Sequence, residues 1–163
     1  MKYLILFSFI LLLESCDSSR VYEDFQDMDQ GFWHSDSLQS FSFEIEDAAV
    51  KYNLLATFRH ASAYPFYNLY FQYSLLDSSG NVIKKALKEH HFFDPKTGEP
   101  LGSGLGDLFD HEVMLEESYS FPNGGRYQIQ LQQRMRMDTL AYILSVGARV
   151  EIANGAQKNE NSS

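Results

Sequence analysis

Cysteine is nearly absent: Cys16 stands alone among 163 residues, so no disulfide can form within the chain. Basic residues are scarce too, 13 Lys and Arg against 22 Asp and Glu, for a formal net charge of −9. That balance argues against nucleic acid as a partner and against electrostatic attachment to anionic lipid. No apolar run after the first dozen residues approaches the length of a membrane-spanning helix. Long helical periodicity is missing, apart from a possible short helix over residues 22–30. Internal repeats and long low-complexity segments are missing as well. Local signatures of catalysis, such as a nucleophile beside a base or a positioned carboxylate pair, are not found, and the sequence reads as a non-enzyme.

What is present begins at the first residues. Lys2 precedes an unbroken apolar run over residues 3–13, the length of a signal-peptide core and too short to cross a bilayer. The run ends in Leu13-Glu14-Ser15-Cys16. A Leu three positions before a Cys, with a small residue directly before it, is similar to the lipobox of bacterial lipoproteins. The similarity implies a diacylglyceryl thioether on Cys16, cleavage before it and N-acylation. Several acyl chains on one residue, at about 0.8 kcal/mol per buried CH₂, make a stable anchor. The predicted organisation is a lipoprotein signal peptide over residues 1–15, a lipidated tether over 16–20, one domain over 21–153 and a disordered polar tail over 154–163.

The dominant period inside that domain is two. Phe41, Phe43 and Ile45 alternate with polar residues, as do Tyr52, Leu54, Ala56 and Phe58, then Leu69, Phe71, Tyr73 and Leu75. Over residues 126–135, Tyr127, Ile129, Leu131, Gln133 and Met135 share one face and Arg126, Gln128, Gln130, Gln132 and Arg134 the other, the pattern of an antiparallel strand with one wet face. A further strand is expected over 82–92 and another over 140–152, with Tyr142, Leu144, Val146, Ala148, Val150 and Ile152 on one side. Turn chemistry at 77–81, 94–98 and 122–125 separates the runs. The expected fold is all-β: a single antiparallel β-sandwich, jelly-roll-like or Ig-like, of about seven to eight strands.

Candidate sites are few. The segment Leu101-Gly-Ser-Gly-Leu-Gly-Asp107 lacks the Lys-Ser/Thr ending of a phosphate loop and reads as a loop needing positive φ. His90 and His91 are adjacent, so on a strand they face opposite ways and cannot share a metal. His111 sits between acidic residues. Asp94, Asp107 and Asp110 supply oxygen ligands of the kind calcium takes, but without EF-hand spacing. The sequence therefore predicts no metal and no cofactor. Phe32-Trp33 and the stretch Tyr64-Pro-Phe-Tyr-Asn-Leu-Tyr70 are aromatic-rich, suited to a core, a tight turn with a cis Tyr64–Pro65 bond, or stacking on sugar rings. Arg59 and Arg149, within strands, are expected to pair with acidic neighbours.

Taken together, several segments resemble the gliding motility lipoprotein family GldH. They are the lipobox, Val21-Tyr22-Glu-Asp-Phe25, Phe41-Ser-Phe-Glu-Ile-Glu-Asp47, Phe58-Arg59-His60, Tyr64-Pro65, Asn68-Leu69-Tyr70, Gly102-Ser-Gly-Leu-Gly-Asp107, Gly125-Arg-Tyr127, Gln133-Arg-Met-Arg-Met-Asp-Thr-Leu140 and Val146-Gly-Ala-Arg-Val-Glu151. The order and spacing of the set carry the resemblance. One departure is Gly98-Glu-Pro-Leu101, where an aromatic is expected. The resemblance implies an accessory, non-catalytic envelope lipoprotein of the gliding and associated secretion machinery. Its expected partners are other motility lipoproteins and secretion components, with no nucleic acid and no small-molecule substrate. Tyr64, Pro65, Asn68, Tyr70, Gly102, Gly104, Gly106 and Asp107 are the candidate contact residues, on two loops. The expected location is the outer membrane, facing the periplasm. The alternative is a glycan-binding β-sandwich anchored to the envelope.

Overall fold

The structure, a computed structural model, describes residues 19–153; the predicted signal peptide, Cys16 and the tail over 154–163 lie outside the described residues. Strand β1 (Arg20–Asp27) leads through a 3-10 turn (Asp29–Gly31) to β2 (Phe32–His34), β3 (Gln39–Ile45), β4 (Tyr52–Ala61) and β5 (Asn68–Leu76). Then come β6 (Val82–His91), β7 (Ser103–Leu105), β8 (Leu108–Tyr119), β9 (Gly125–Gln133), β10 (Thr139–Ala141) and β11 (Ile143–Ile152). The expectation of an all-β antiparallel fold holds. The count does not: the described residues form eleven strands in three sheets, ordered β1-β11-β4-β8-β7, β3-β9-β5-β6 and β10-β2, rather than one sandwich of seven to eight.

The two larger sheets face each other, and the alternating apolar residues of both enter one core. Phe58 of β4 meets Phe71 of β5 edge to face at 4.9 Å, and Tyr22 of β1 meets Phe43 of β3 at 5.8 Å. Leu54, Leu69, Tyr73, Ile129, Leu131 and Val150 are fully enclosed between the layers. Burying each large apolar side chain contributes roughly 1.5–3 kcal/mol, which lets a domain without disulfides stand on its core. The small β10-β2 sheet adds Trp33 opposite Leu140, both sealed, with the indole N–H donating to the Ser37 carbonyl at 3.0 Å. Trp33 is thus core, unavailable for stacking on a sugar.

Three local expectations are corrected. Residues 20–27 are a strand, not a helix: β1 pairs with β11 from Arg20↔Glu151 to Asp27↔Ser145. Its Glu23 is held by Arg149 at 2.7 Å, which also reaches Glu112 of β8 at 2.7 Å. The strand expected over 140–152 is broken at Tyr142, which takes a φ of 67° and leaves its ring exposed. A register shift between Ile143 and Ser145 follows, so Ile143 rather than Leu144 opens the buried set. No cis peptide bond occurs among the described residues, so Tyr64–Pro65 is trans.

Register also fixes which end is which. Arg20 lies beside Glu151, and Ile152 beside Tyr52, at one end of the larger sheet. Ala61, Leu108 and Asp27 lie at the other. Strand β4 is ten residues long. At about 3.3 Å per residue its ends are roughly 30 Å apart. The start of the domain and the His60 end are therefore opposite poles.

Candidate functional site at the pole remote from the chain start

The inward alternation of β4 runs through Tyr52, Leu54, Ala56 and Phe58 and carries on to His60, which is completely buried. Strand β8 alternates likewise through Phe109, His111, Val113 and Leu115, with His111 buried. From the opposite sheet, β6 points His90 inward. The three rings meet edge to edge: His60 Nε2 lies 3.1 Å from His111 Nε2, and His111 Nδ1 lies 3.0 Å from His90 Nε2. His60 Nδ1 sits 2.9 Å from the Ala61 carbonyl. Phe92 stacks on His60 at 4.4 Å, nearly parallel, and Tyr64, Phe93 and Phe109 complete the aromatic wall.

Burial in this wall disfavours charge on all three imidazoles. His111 is pushed down to about 4, first by burial and then by repulsion from His60 and His90. His60 is also lowered by burial, opposed by its Ala61 bond and by Asp110. His90 is lowered by burial, then by His91 and His60. The nearby carboxylates are each engaged elsewhere. Asp110 accepts from Arg59 Nε at 2.7 Å and from its Nη2 at 3.0 Å, the pairing expected for that arginine. Glu89 accepts from Asn68 Nδ2 at 2.6 Å; bonds from Asn68 and Tyr70, with His91 beside it, hold its carboxyl below the usual range. His91 points outward beside the Tyr67 ring, so the two adjacent histidines do face opposite ways.

The Gly-rich segment is not a loop but a hairpin. Ser103–Leu105 pair with Leu108–Asp110 around a two-residue turn, and positive φ at Gly106 suits that turn's first position. Gly102 lies directly against His111: a Cβ there would fall 2.8 Å from Cε1, 2.9 Å from Nε2 and 2.5 Å from the Asp110 carbonyl. Gly104 would likewise strike the Leu108 carbonyl. The second predicted segment joins the first. Ser62 N donates to the Asp107 carbonyl at 2.8 Å, so the 62–67 loop and the hairpin form one surface. Within it Tyr64 is buried and donates its hydroxyl to the Asn68 carbonyl at 2.9 Å. Asn68 is buried as well, whereas Pro65, Tyr70, Gly102, Gly104, Gly106 and Asp107 are exposed. Leu105 at the hairpin tip is 91% exposed, and Tyr67, Leu101 and Leu108 are exposed around it.

A cleft of about 690 Å³ opens beside the histidines, lined by His90, His111, Gly102, Ser103 and Glu112 among others. Ser103 is the hydroxyl in it, but both nitrogens of His111 are occupied by other imidazoles and cannot orient that hydroxyl as a base would. Asp94, Asp107 and Asp110 do not converge: Asp94 caps the backbone of Lys96 and Thr97, Asp107 meets Ser62 and Asp110 meets Arg59. Among the described residues no group of three His, Cys, Asp or Glu side chains is placed to hold a metal ion, and the three histidines bond one another instead.

Two facing antiparallel sheets with a cluster of three histidines at one pole, open to the cleft at His90, define a small all-β domain. The chain belongs to the GldH lipoprotein family, whose pattern matches residues 20–150. A gliding motility lipoprotein GldH homolog of Christiangramia forsetii is 32% identical over 149 residues, covering 87% of this chain and 90% of that one. The gliding motility lipoprotein GldH of Flavobacterium johnsoniae is 30% identical over 148 residues, covering 86% and 90%. Both are named as motility lipoproteins rather than as enzymes. Among solved structures, two of infectious bursal disease virus resemble the chain at 15% identity: the VP2 subviral particle (TM-score 0.42, 86% of this chain) and the Gx strain (0.44, 87%). The chain spans about a third of those viral chains, 34% and 35%. Membership of a lipoprotein family implies a membrane-anchored protein of the cell envelope.

Proposed function

We propose that this protein is a non-catalytic accessory component of the gliding motility machinery and its associated secretion apparatus. It is tied to the outer membrane by acyl chains on Cys16, and the domain faces the periplasm. Its partners are other motility lipoproteins and envelope secretion components, met through the pole that carries Tyr70, Pro65 and the Gly102–Asp107 hairpin. Family membership supports the role. One geometric observation supports the surface: the strand that follows Cys16 begins at the opposite pole, so an anchor there holds the apolar hairpin tip roughly 30 Å from the bilayer, out where a partner can reach it. Deleting the gene in a gliding host and returning either the native gene or Cys16→Ala tests the reading. The native gene restores spreading and the unlipidated form does not. Normal spreading in the deletant removes the proposal, and protease shaving of intact cells checks the periplasmic orientation.

A glycan-binding reading retains one supporting feature, a cleft of about 460 Å³ between Phe66, Tyr70, Arg134, Met135, Arg136 and Met137. Its exposed Tyr70 offers a ring face to a sugar and its arginines could bond hydroxyls.

A further inference from the structure

We propose that His60, His111 and His90 form a directional imidazole chain that takes up one proton at His90 Nδ1 without rearrangement, and that a second proton breaks the chain and releases the Gly-rich hairpin.

The direction follows from a single carbonyl. The Ala61 oxygen can only accept, so the proton of neutral His60 is on Nδ1, and its Nε2 must accept. His111 then donates from Nε2, which leaves its Nδ1 as an acceptor. His90 in turn donates from Nε2. The chain's polarity is set throughout, and it ends at His90 Nδ1, which bonds no described residue. No buried side-chain nitrogen or oxygen among the described residues lacks a partner, so this free nitrogen is one that solvent reaches, through the cleft beside it.

Proton counting gives the capacity. The intact chain has one place at the Ala61 bond, one in each of the two shared N–N bonds and one at the open end, four in all. Three neutral imidazoles fill three. The fourth proton enters at His90 and can rest on any of the rings with both shared bonds kept; burial of His60 and His111 holds it at His90. A fifth puts two N–H groups face to face across a 3.0 or 3.1 Å gap, and a bond must open. The backbone of Gly102 lies on His111, so movement of that ring is felt first by β7, a three-residue edge strand.

Of the surrounding charges only Asp110 favours a proton on His60 or His111, and burial outweighs it at both rings. On β8, Asp110 is clamped by Arg59 of β4 and Glu112 by Arg149; on β6, Glu89 is engaged by Asn68 and Tyr70, and His91, on the outer face at the rim of the cleft, adds repulsion at His90. Tyr64, on the adjoining loop, donates its hydroxyl elsewhere.

The test is a histidine ring titration of the full chain, ¹⁵N-labelled in detergent micelles, followed with amide exchange. At pH 7.5 the expected tautomers are Nδ1–H for His60 and Nε2–H for His111 and His90. On acidification His90 protonates first, with the Ser103 and Leu105 amides, which face β8, still protected. Exchange of these amides then rises by roughly tenfold or more relative to β11 as the second ring takes its proton. An Nδ1–H tautomer at His111, first protonation at His60, or loss of β7 protection only together with β11 would each overturn the proposal.

Discussion

Gly102 rests on the ring of His111 so closely that a methyl group would fall within 2.9 Å of Nε2, and its φ of 88° lies in the left-handed region. Gly102→Ala therefore meets both a backbone conformation that alanine resists and a collision with a ring locked on two sides. The expected cost is about 1–3 kcal/mol. It should appear as a lowered thermal midpoint and as early proteolytic nicking of the 101–107 hairpin. A variant with the native midpoint would show that the hairpin can lift off His111 freely.

Stability should fall in mild acid because of His111. Its folded value of about 4 is depressed below the ordinary 6.5, so between the two the unfolded chain binds more protons. The contribution is complete above about 6.5 and is lost as pH drops towards 4. For this buried ring the loss is on the order of 3 kcal/mol. The depressed carboxylates Asp77, Glu89 and Asp94 act lower: their contribution is present above the ordinary carboxylate range and lost beneath it. Urea midpoints at pH 7.5, 5.5, 4.5 and about 3 separate the windows. His111→Gln should flatten the upper one, and an unchanged slope would assign it to other groups.

How much of this could be read beforehand depends on the strand. In β3 and β9 most outward positions are polar and most inward ones apolar, and in β5 Leu69, Phe71, Tyr73 and Leu75 keep the inward phase, so alternation marks all three. Strand β8 escaped because its outward positions include Asp110 and Glu112, which look like loop, and one inward position is a histidine. The break at Tyr142 was hidden because residues on both sides of it are apolar, and only a bulge against His60 shows where the phase changes. The histidine chain joins residues 51 and 21 positions apart, and cross-sheet register alone assembles it. A signal did exist: His60 and His111 each fall on the inward phase of an apolar alternation, where a polar residue must find a partner.

Trp33 offers an optical test of the core. It is wholly enclosed, packed 6.2 Å from Phe58 with its N–H satisfied by Ser37. Its emission should be blue-shifted against the unfolded chain, resistant to iodide and unmoved by envelope glycans. Phe58→Ala removes the ring that touches Trp33, Phe71 and Phe92 and should cost about 3–5 kcal/mol, with a red shift at Trp33. Quenching by iodide in the native protein would mean that the β10-β2 sheet does not seal the pole.

Leu105 separates contact from stability. Its side chain is 91% exposed, so exchanging it for a charge removes no buried area and should move the thermal midpoint very little. If the hairpin tip is where a partner binds, Leu105→Asp places a desolvated charge in that contact, and loss of a packed apolar anchor typically weakens binding by about 2 kcal/mol or more. In a deletant of a gliding host, this variant should reach native levels in the envelope yet fail to restore spreading. A matched substitution at the opposite pole, Val82→Asp on the exposed edge of β6, should restore it. Full rescue by Leu105→Asp would move the contact surface away from this pole while leaving the role of the protein in motility untouched.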